Sequence, residues 1–249
     1  MPLPIRLPLI FLPLLIFSSG LLASSPSKYA IIDQARSLVG TEEALDGLIT
    51  LEILGKLEKV DRRLPSATLL IFARKPCSQR MEIRVDDMVE TTIMNHNSGC
   101  IIRSNLAEDA SQMRALVGSE LERVAYNTHQ FFTFYRPHYK EGETVQLEGV
   151  VEWRDQSCYK LVYTYLSGLR TIRYFSKADF SLVATITANG VESVGRGAQE
   201  IDGIEFPESI DYYEDGRKLH TVVLESIKVN KPLPAGIFDT PKRRQAKDG

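Results

Sequence analysis

Four turn dipeptides punctuate the second half of this chain: Ser167-Gly168, Asn189-Gly190, Asp202-Gly203 and Asp215-Gly216. Asn-Gly and Asp-Gly accept the positive φ that a two-residue hairpin turn demands at its centre. Between and around them, apolar residues tend to recur at every second position, the period of a half-buried strand. The expected strands are 145–153, 158–166, 171–176, 182–188, 191–201, 205–213 and 218–229. Connections this short join antiparallel neighbours only, because a parallel pair needs a long crossover.

The first half repeats the pattern. Strands are predicted at 48–54, with a bend or bulge at Gly55, then at 67–74, 79–85 and 88–94, with a further one opening at Cys100-Ile101-Ile102. Asp86-Asp87 and the run 95–99 supply turn chemistry between them. Helical spacing appears in three places. Ser27 caps a first helix whose Ile31, Ala35, Leu38 and Val39 share a face and which Gly40 stops. Ala110, Met113, Leu116 and Val117 predict a second over 108–117. Ser119 and Glu122 form a capping box for a third, with a stripe of Leu121, Val124, Thr128, Phe131, Phe132 and Tyr135 ending at Pro137. About eleven or twelve strands follow, in one domain of mainly β with α (α+β) class. The expected architecture is a strongly curved, incomplete antiparallel barrel with helices covering its concave face.

Residues 1–23 have the layout of a secretory signal: one positive charge at Arg6, a short apolar stretch from Leu7 to Phe17, then small residues before Ser24. That stretch is shorter than the about 20 residues a spanning helix needs, and Pro8 and Pro13 interrupt it. The expectation is an exported, soluble, periplasmic protein, with residues 24–241 forming the folded domain and 242–249 a basic tail. The full chain carries 30 Lys and Arg against 32 Asp and Glu. A near-balanced chain lacks the basic field that nucleic acid requires, so nucleic acid is not expected as a partner.

Catalytic chemistry finds little purchase. His96, His129, His138 and His220 show no metal-ligand spacing, so no metal is expected. His96 and Cys100 lie around one turn with no oxyanion hole suggested. Gly195-Arg196-Gly197 is too short for a phosphate loop and reads as a bulge. No catalytic residue and no cofactor is expected. Of the three cysteines, Cys77 and Cys100 fall at the same end of the predicted meander, which allows a disulfide between them. Cys158, in an alternating strand, reads as a small buried hydrophobe.

A curled sheet with helices on its concave side encloses a half-open apolar cavity, a shape suited to an acyl chain. By alternation, Leu51, Ile53, Leu70, Phe72, Met81, Ile83, Val162 and Tyr174 are the expected lining, with Ile31, Phe131 and Phe132 from the helices. Each has a plain alternative, that it is ordinary core.

Three stretches carry a resemblance to a known family. They are Phe72-Ala73-Arg74-Lys75-Pro76-Cys77-Ser78-Gln79-Arg80-Met81-Glu82; Ile201-Asp202-Gly203-Ile204-Glu205-Phe206-Pro207; and Leu224-Glu225-Ser226-Ile227-Lys228-Val229-Asn230 followed by Phe238-Asp239-Thr240-Pro241. In order and spacing the chain resembles the periplasmic outer-membrane lipoprotein carriers of the LolA/LolB-like superfamily. The resemblance implies an eleven-stranded open barrel with a helical lid, and a monomeric carrier that sequesters lipoprotein acyl chains or another lipid without covalent chemistry. It also implies an inner-membrane release complex and an outer-membrane acceptor as partners. A basic residue before the turn proline holds the lid closed in such carriers; the matching residue is Lys75, which lacks the planar fork of arginine. Two other readings stand beside it: a periplasmic sensor or protein-interaction module on the same sheet, and an exported enzyme with an unrecognised site.

Overall fold

The computed structural model describes residues 25–61 and 63–240. Three α-helices and fifteen strands alternate along it: α1 (Lys28–Val39), α2 (Glu42–Gly47), β1 (Thr50–Lys59), β2 (Ala67–Arg74), β3 (Ser78–Val85), β4 (Met88–Asn95), β5 (Ser98–Asn105) and β6 (Ala110–Ala115). After α3 (Gly118–Thr133) come β7 (Thr144–Trp153), β8 (Gln156–Thr164), β9 (Arg170–Ser176), β10 (Leu182–Ile186) and β11 (Glu192–Arg196). The short pair β12 (Gln199–Ile201) and β13 (Ile204–Phe206) precedes β14 (Ser209–Glu214) and β15 (Arg217–Val229).

Thirteen strands form one antiparallel sheet in the order β6-β5-β4-β3-β2-β1-β15-β14-β11-β10-β9-β8-β7. The sheet is open and curved, the incomplete barrel with helices that the alternation predicts. Its order is two meanders joined at a central seam, where β1 pairs with β15 from Leu51↔Val229 to Lys59↔His220. The register shifts at Leu54/Gly55, where a Cβ on Gly55 would lie 2.9 Å from the Val223 carbonyl oxygen. Gly55 therefore lets the seam close around a bulge.

The meanders end at β6 and β7, so consecutive strands in the chain occupy opposite edges of the sheet. Residues 116–143, with α3 in their middle, must cross between them. α1 fills one end of the concave side. Its Ile31, Ile32 and Ala35 are buried against Val145, Leu161, Tyr163 and Phe175. The other end is floored by Ile53, Leu69, Ile71, Val222 and Ile227, with Phe132 of α3 pressed against them.

Several expectations need correction. The predicted helix at 108–117 is the edge strand β6, paired from Cys100↔Ala115 to Asn105↔Ala110, and all six residues are exposed. Helical spacing has no force in a segment that buries no face, and pairing supplies β5 with hydrogen-bond partners instead. The capping box fails too: Val117 is the N-cap of α3 with no side-chain bond, and Glu120 is turned to Arg114. α3 ends at Thr133, before Pro137, as Phe134 and Tyr135 take positive φ. Strands 191–201 and 205–213 each split in two around the β12–β13 hairpin.

The Cys77–Cys100 disulfide is not formed; both are buried thiols, as is Cys158. Cys77 Sγ donates to the Ala125 carbonyl at 3.7 Å. Cys77 is backbone-bonded to His96 at the end of β4, and Cys100 pairs with Ile93 on the far side of β4. One whole strand thus separates them. Two strand spacings are about 9.6 Å, beyond the about 7 Å that a disulfide spans between Cα atoms.

Candidate functional site

A cavity of about 560 Å³ lies between α3 and the concave face of β1 to β5, β14 and β15. Its floor is mostly aliphatic, Ile53, Leu69, Ile71, Met81, Val222 and Leu224, with the buried Gln79 and Thr92 among them and Ile101, Ile210, Tyr212 and Phe131 at the sides. The floor is built by register. β1, β2 and β3 align Ile53 with Ile71 and Ile71 with Met81, so one row of inward side chains crosses three strands. The rim is different. Arg103, Arg114, Glu120 and Arg123 stand there with Glu90, Asn127 and Asn189. Arg114 donates both Nη groups to Glu120 at 2.6 and 2.8 Å, and Arg103 Nε meets Glu90 at 2.6 Å.

Of the residues expected to line a cavity, Ile53, Met81 and Phe131 do so. Leu51, Ile83 and Phe132 face the same side and pack in the core around it. Leu70 and Phe72 face away: Leu70 sits opposite Leu54 and Glu82, and Phe72 opposite Glu52 and Arg80. Their neighbours Leu69 and Ile71 point inward instead. Val162 and Tyr174 also lie on the outer face. Tyr174 stacks on Trp153 at 4.2 Å beside Cys158, Ala184 and Val194. Ile31 is core at the filled end, away from the cavity. On β2, Leu69-Leu70-Ile71-Phe72 is apolar at every position, so period two gives no face. On β8, Leu161-Val162-Tyr163 is apolar throughout, and only Lys160, two positions before Val162, marks the outer face. On β9 the charged Arg173 faces inward over the Tyr163 ring, so its neighbour Tyr174 points out.

α3 rests on the sheet through polar contacts as well as Phe131 and Phe132. Thr128 Oγ1 bonds Gln79 Oε1 at 2.9 Å, and Gln130 Oε1 accepts from Arg173. Tyr126 donates to Glu143 Oε1 at 3.0 Å, and the same carboxylate takes the His138 amide at 2.6 Å. Arg173 is buried and packs over the Tyr163 ring at 4.3 Å. Burial pushes the Tyr126 hydroxyl up to about 12 and Tyr135 likewise, so both phenols remain hydrogen-bond donors at any ordinary pH.

The end of α3 is held by Arg36. This α1 residue is 1 % exposed and donates Nη1 to the Thr133 and Phe134 carbonyls at 2.6 and 3.0 Å. Its Nε and Nη2 form a fork on Glu42 of α2 at 2.9 and 2.8 Å. The hydrogen bond from Arg36 holds the Glu42 carboxyl down to about 2, against the partial burial that works to raise it. Lys75, the residue singled out before the turn proline, donates Nζ to the Asp46 carbonyl near the end of α2 at 2.8 Å and stands 5.9 Å from the Phe132 ring centre. Burial lowers its pKa.

Arg36, Arg123 and Arg173 were not legible as site residues. The one available signal was Arg36 itself, a charge four positions after Ile32 on the buried face of an amphipathic helix. Among the described residues no cluster of His, Cys, Asp or Glu could hold a metal ion, and no helix is long and apolar enough to cross a membrane.

The sequence matches no family model and no curated protein. Its structure is similar to solved ones. A DUF1329 family protein from Desulfovibrio piger superposes with a TM-score of 0.54 at 13% identity, over 85% of this chain and 96% of that one. A LolA superfamily protein from Nitrosomonas europaea gives 0.54 at 13%, over 87% and 99%. A putative outer membrane lipoprotein-sorting protein domain from Vibrio parahaemolyticus gives 0.51 at 9%, over 84% and 95%. At such identities the likeness is one of fold, and this chain has the LolA-like fold.

Proposed function

We propose that this protein is an exported, soluble, periplasmic carrier. It takes the acyl chains of a lipoprotein or another lipid into the cavity under α3 and moves them toward the outer membrane. No covalent step is involved. The observation that carries this reading is the mostly aliphatic floor of a 560 Å³ cavity on the concave face. Ligand pockets commonly enclose about 300–1,000 Å³. A methylene is close in size to a water molecule, at about 30 Å³ each, so the space suits one chain of somewhat under 20 carbons. Each methylene moved from water contributes about 0.8 kcal/mol. The similarity of fold to a lipoprotein-sorting domain supports the same reading. A delivering complex in the inner membrane and an acceptor at the outer membrane would complete the route, with the carrier acting as a monomer.

The test is native mass spectrometry of the protein purified from a periplasm, followed by lipid extraction. A bound lipid or lipoprotein that is lost in Met81→Asp identifies the cargo class. A clean apo mass, together with no response to added acyl probes, overturns the reading.

A further inference from the structure

The rim of the cavity is chemically unlike its floor. Five charged side chains line the cavity, and three of them are arginines: Arg103 on β5, Arg114 on β6 and Arg123 on α3. Glu90 and Glu120 answer the first two as close ion pairs. Arg123 is left over. Among the described residues it has no hydrogen bond or ion pair; it acts on Glu120 only through space, helping to lower that carboxyl after the larger effect of the hydrogen bond from Arg114. The chain as a whole has a net charge of −2, so a cationic rim runs against its composition. Arg123 is half-buried and precedes Val124 in the chain, itself a lining residue. Its guanidinium therefore has a shielded position at the edge of the apolar space, where an anion gains more than in open water.

Resting on the carrier reading above, we infer that the cargo is an anionic amphiphile: an acyl chain on the floor and a carboxylate or phosphate headgroup at Arg123, flanked by Arg114 and Arg103. A guanidinium presents two parallel donors to either oxyanion, so the recognition chemistry is shared between a fatty acid and an acidic phospholipid. The exposed amides of Asn127 and Asn189 on the same rim supply further donors for headgroup oxygens.

The experiment displaces the neutral probe N-phenyl-1-naphthylamine from the full protein with four palmitoyl amphiphiles: palmitate, lysophosphatidylglycerol, lysophosphatidylcholine and monoacylglycerol. The expected result is tighter displacement by the two anionic ligands, weakened about five- to ten-fold in Arg123→Gln and further in Arg123→Glu, with the monoacylglycerol unaffected. Added salt narrows the same gap. The better anionic ligand tells carboxylate from phosphate. Equal displacement by all four, unchanged in both variants, overturns the headgroup assignment and leaves the carrier standing. No binding of probe or lipid by a wild type that unfolds cooperatively overturns both. Unchanged binding of the neutral ligands shows that each variant is folded.

Discussion

Arg36 Nη1 lies 2.6 Å from the Thr133 carbonyl oxygen, so a charge buried in α1 closes the C-terminal end of α3. The same guanidinium grips Glu42 of α2. Three helices are thereby fastened at one side chain.

Replacing that side chain is expected to be costly. Arg36→Leu leaves the Thr133 and Phe134 carbonyls without their donor and Glu42 without its fork, and lowers stability by about 2–4 kcal/mol. Arg36→Lys recovers little, since an ammonium cannot serve both directions. Glu42→Gln costs under about 1 kcal/mol, because Glu42 is half in solvent. Urea unfolding of the three variants checks the order.

Asp211 predicts an acid limb. It accepts from Lys218 at 2.6 Å, Thr221 at 2.8 Å and Arg196 at 3.1 Å. Burial works to raise its pKa, yet these donors together hold it at about 2, below the ordinary 3.8. Because the folded value is the lower one, the stabilisation is complete above 3.8 and disappears as pH falls toward about 2. The drop in urea midpoint between about pH 5 and about pH 2 is expected to shrink in Asp211→Asn, which starts less stable.

Leu70 and Met81 separate the two faces of the sheet. Met81→Asp places a carboxylate on the cavity floor, and is expected to weaken acyl-probe binding at least tenfold. Leu70→Asp, on the outer face, leaves it unchanged. Probe titration of both proteins, each checked for a cooperative melt, decides the matter.

The β7–β8 hairpin turns through Arg154 and Asp155, at φ 51° and 59°. Both centre positions of this turn favour glycine or asparagine. Asp155 is exposed, so Asp155→Gly relieves the left-handed backbone without loss of packing. A gain of about 0.5 kcal/mol is expected, reduced from the full relief by the entropy of the unfolded glycine. Thermal melts of the pair resolve it.

Much of the fold is readable in the chain because turn chemistry is local. Asp202-Gly203 and Asp215-Gly216 each take positive φ at both residues and mark hairpins where expected. The first helix begins at its Ser27 cap, bonded to the Ala30 amide at 3.2 Å, and ends at Gly40. The site is less readable. On β3, where Arg80, Glu82 and Arg84 alternate with Met81 and Ile83, polarity names the inner face. On β2 the apolar residues run unbroken from Leu69 to Ala73, and only the neighbouring strand's register decides; on β8 the single charge of Lys160 marks the face that Val162 shares. Arg123 and Arg173 acquire meaning from strands and a helix distant in sequence, a relationship that no local pattern carries.

The chain enters and leaves the sheet at its centre, while its middle joins the two outer edges through α3. That makes the helix the handle of a bucket, riveted to both lips. Sixteen residues of helix measure about 24 Å, and a hydrogen-bonded rod of that kind hardly stretches. The lips cannot part further than the handle and its short connections permit. Whatever enters must pass to one side of the handle, and on the cavity side that doorway is framed by β5, β6 and the first turns of α3. Its greatest width is therefore set by covalent connectivity rather than by the weak contacts that line it, and the slack in that tether lies in the ten residues between α3 and β7 rather than in the helix.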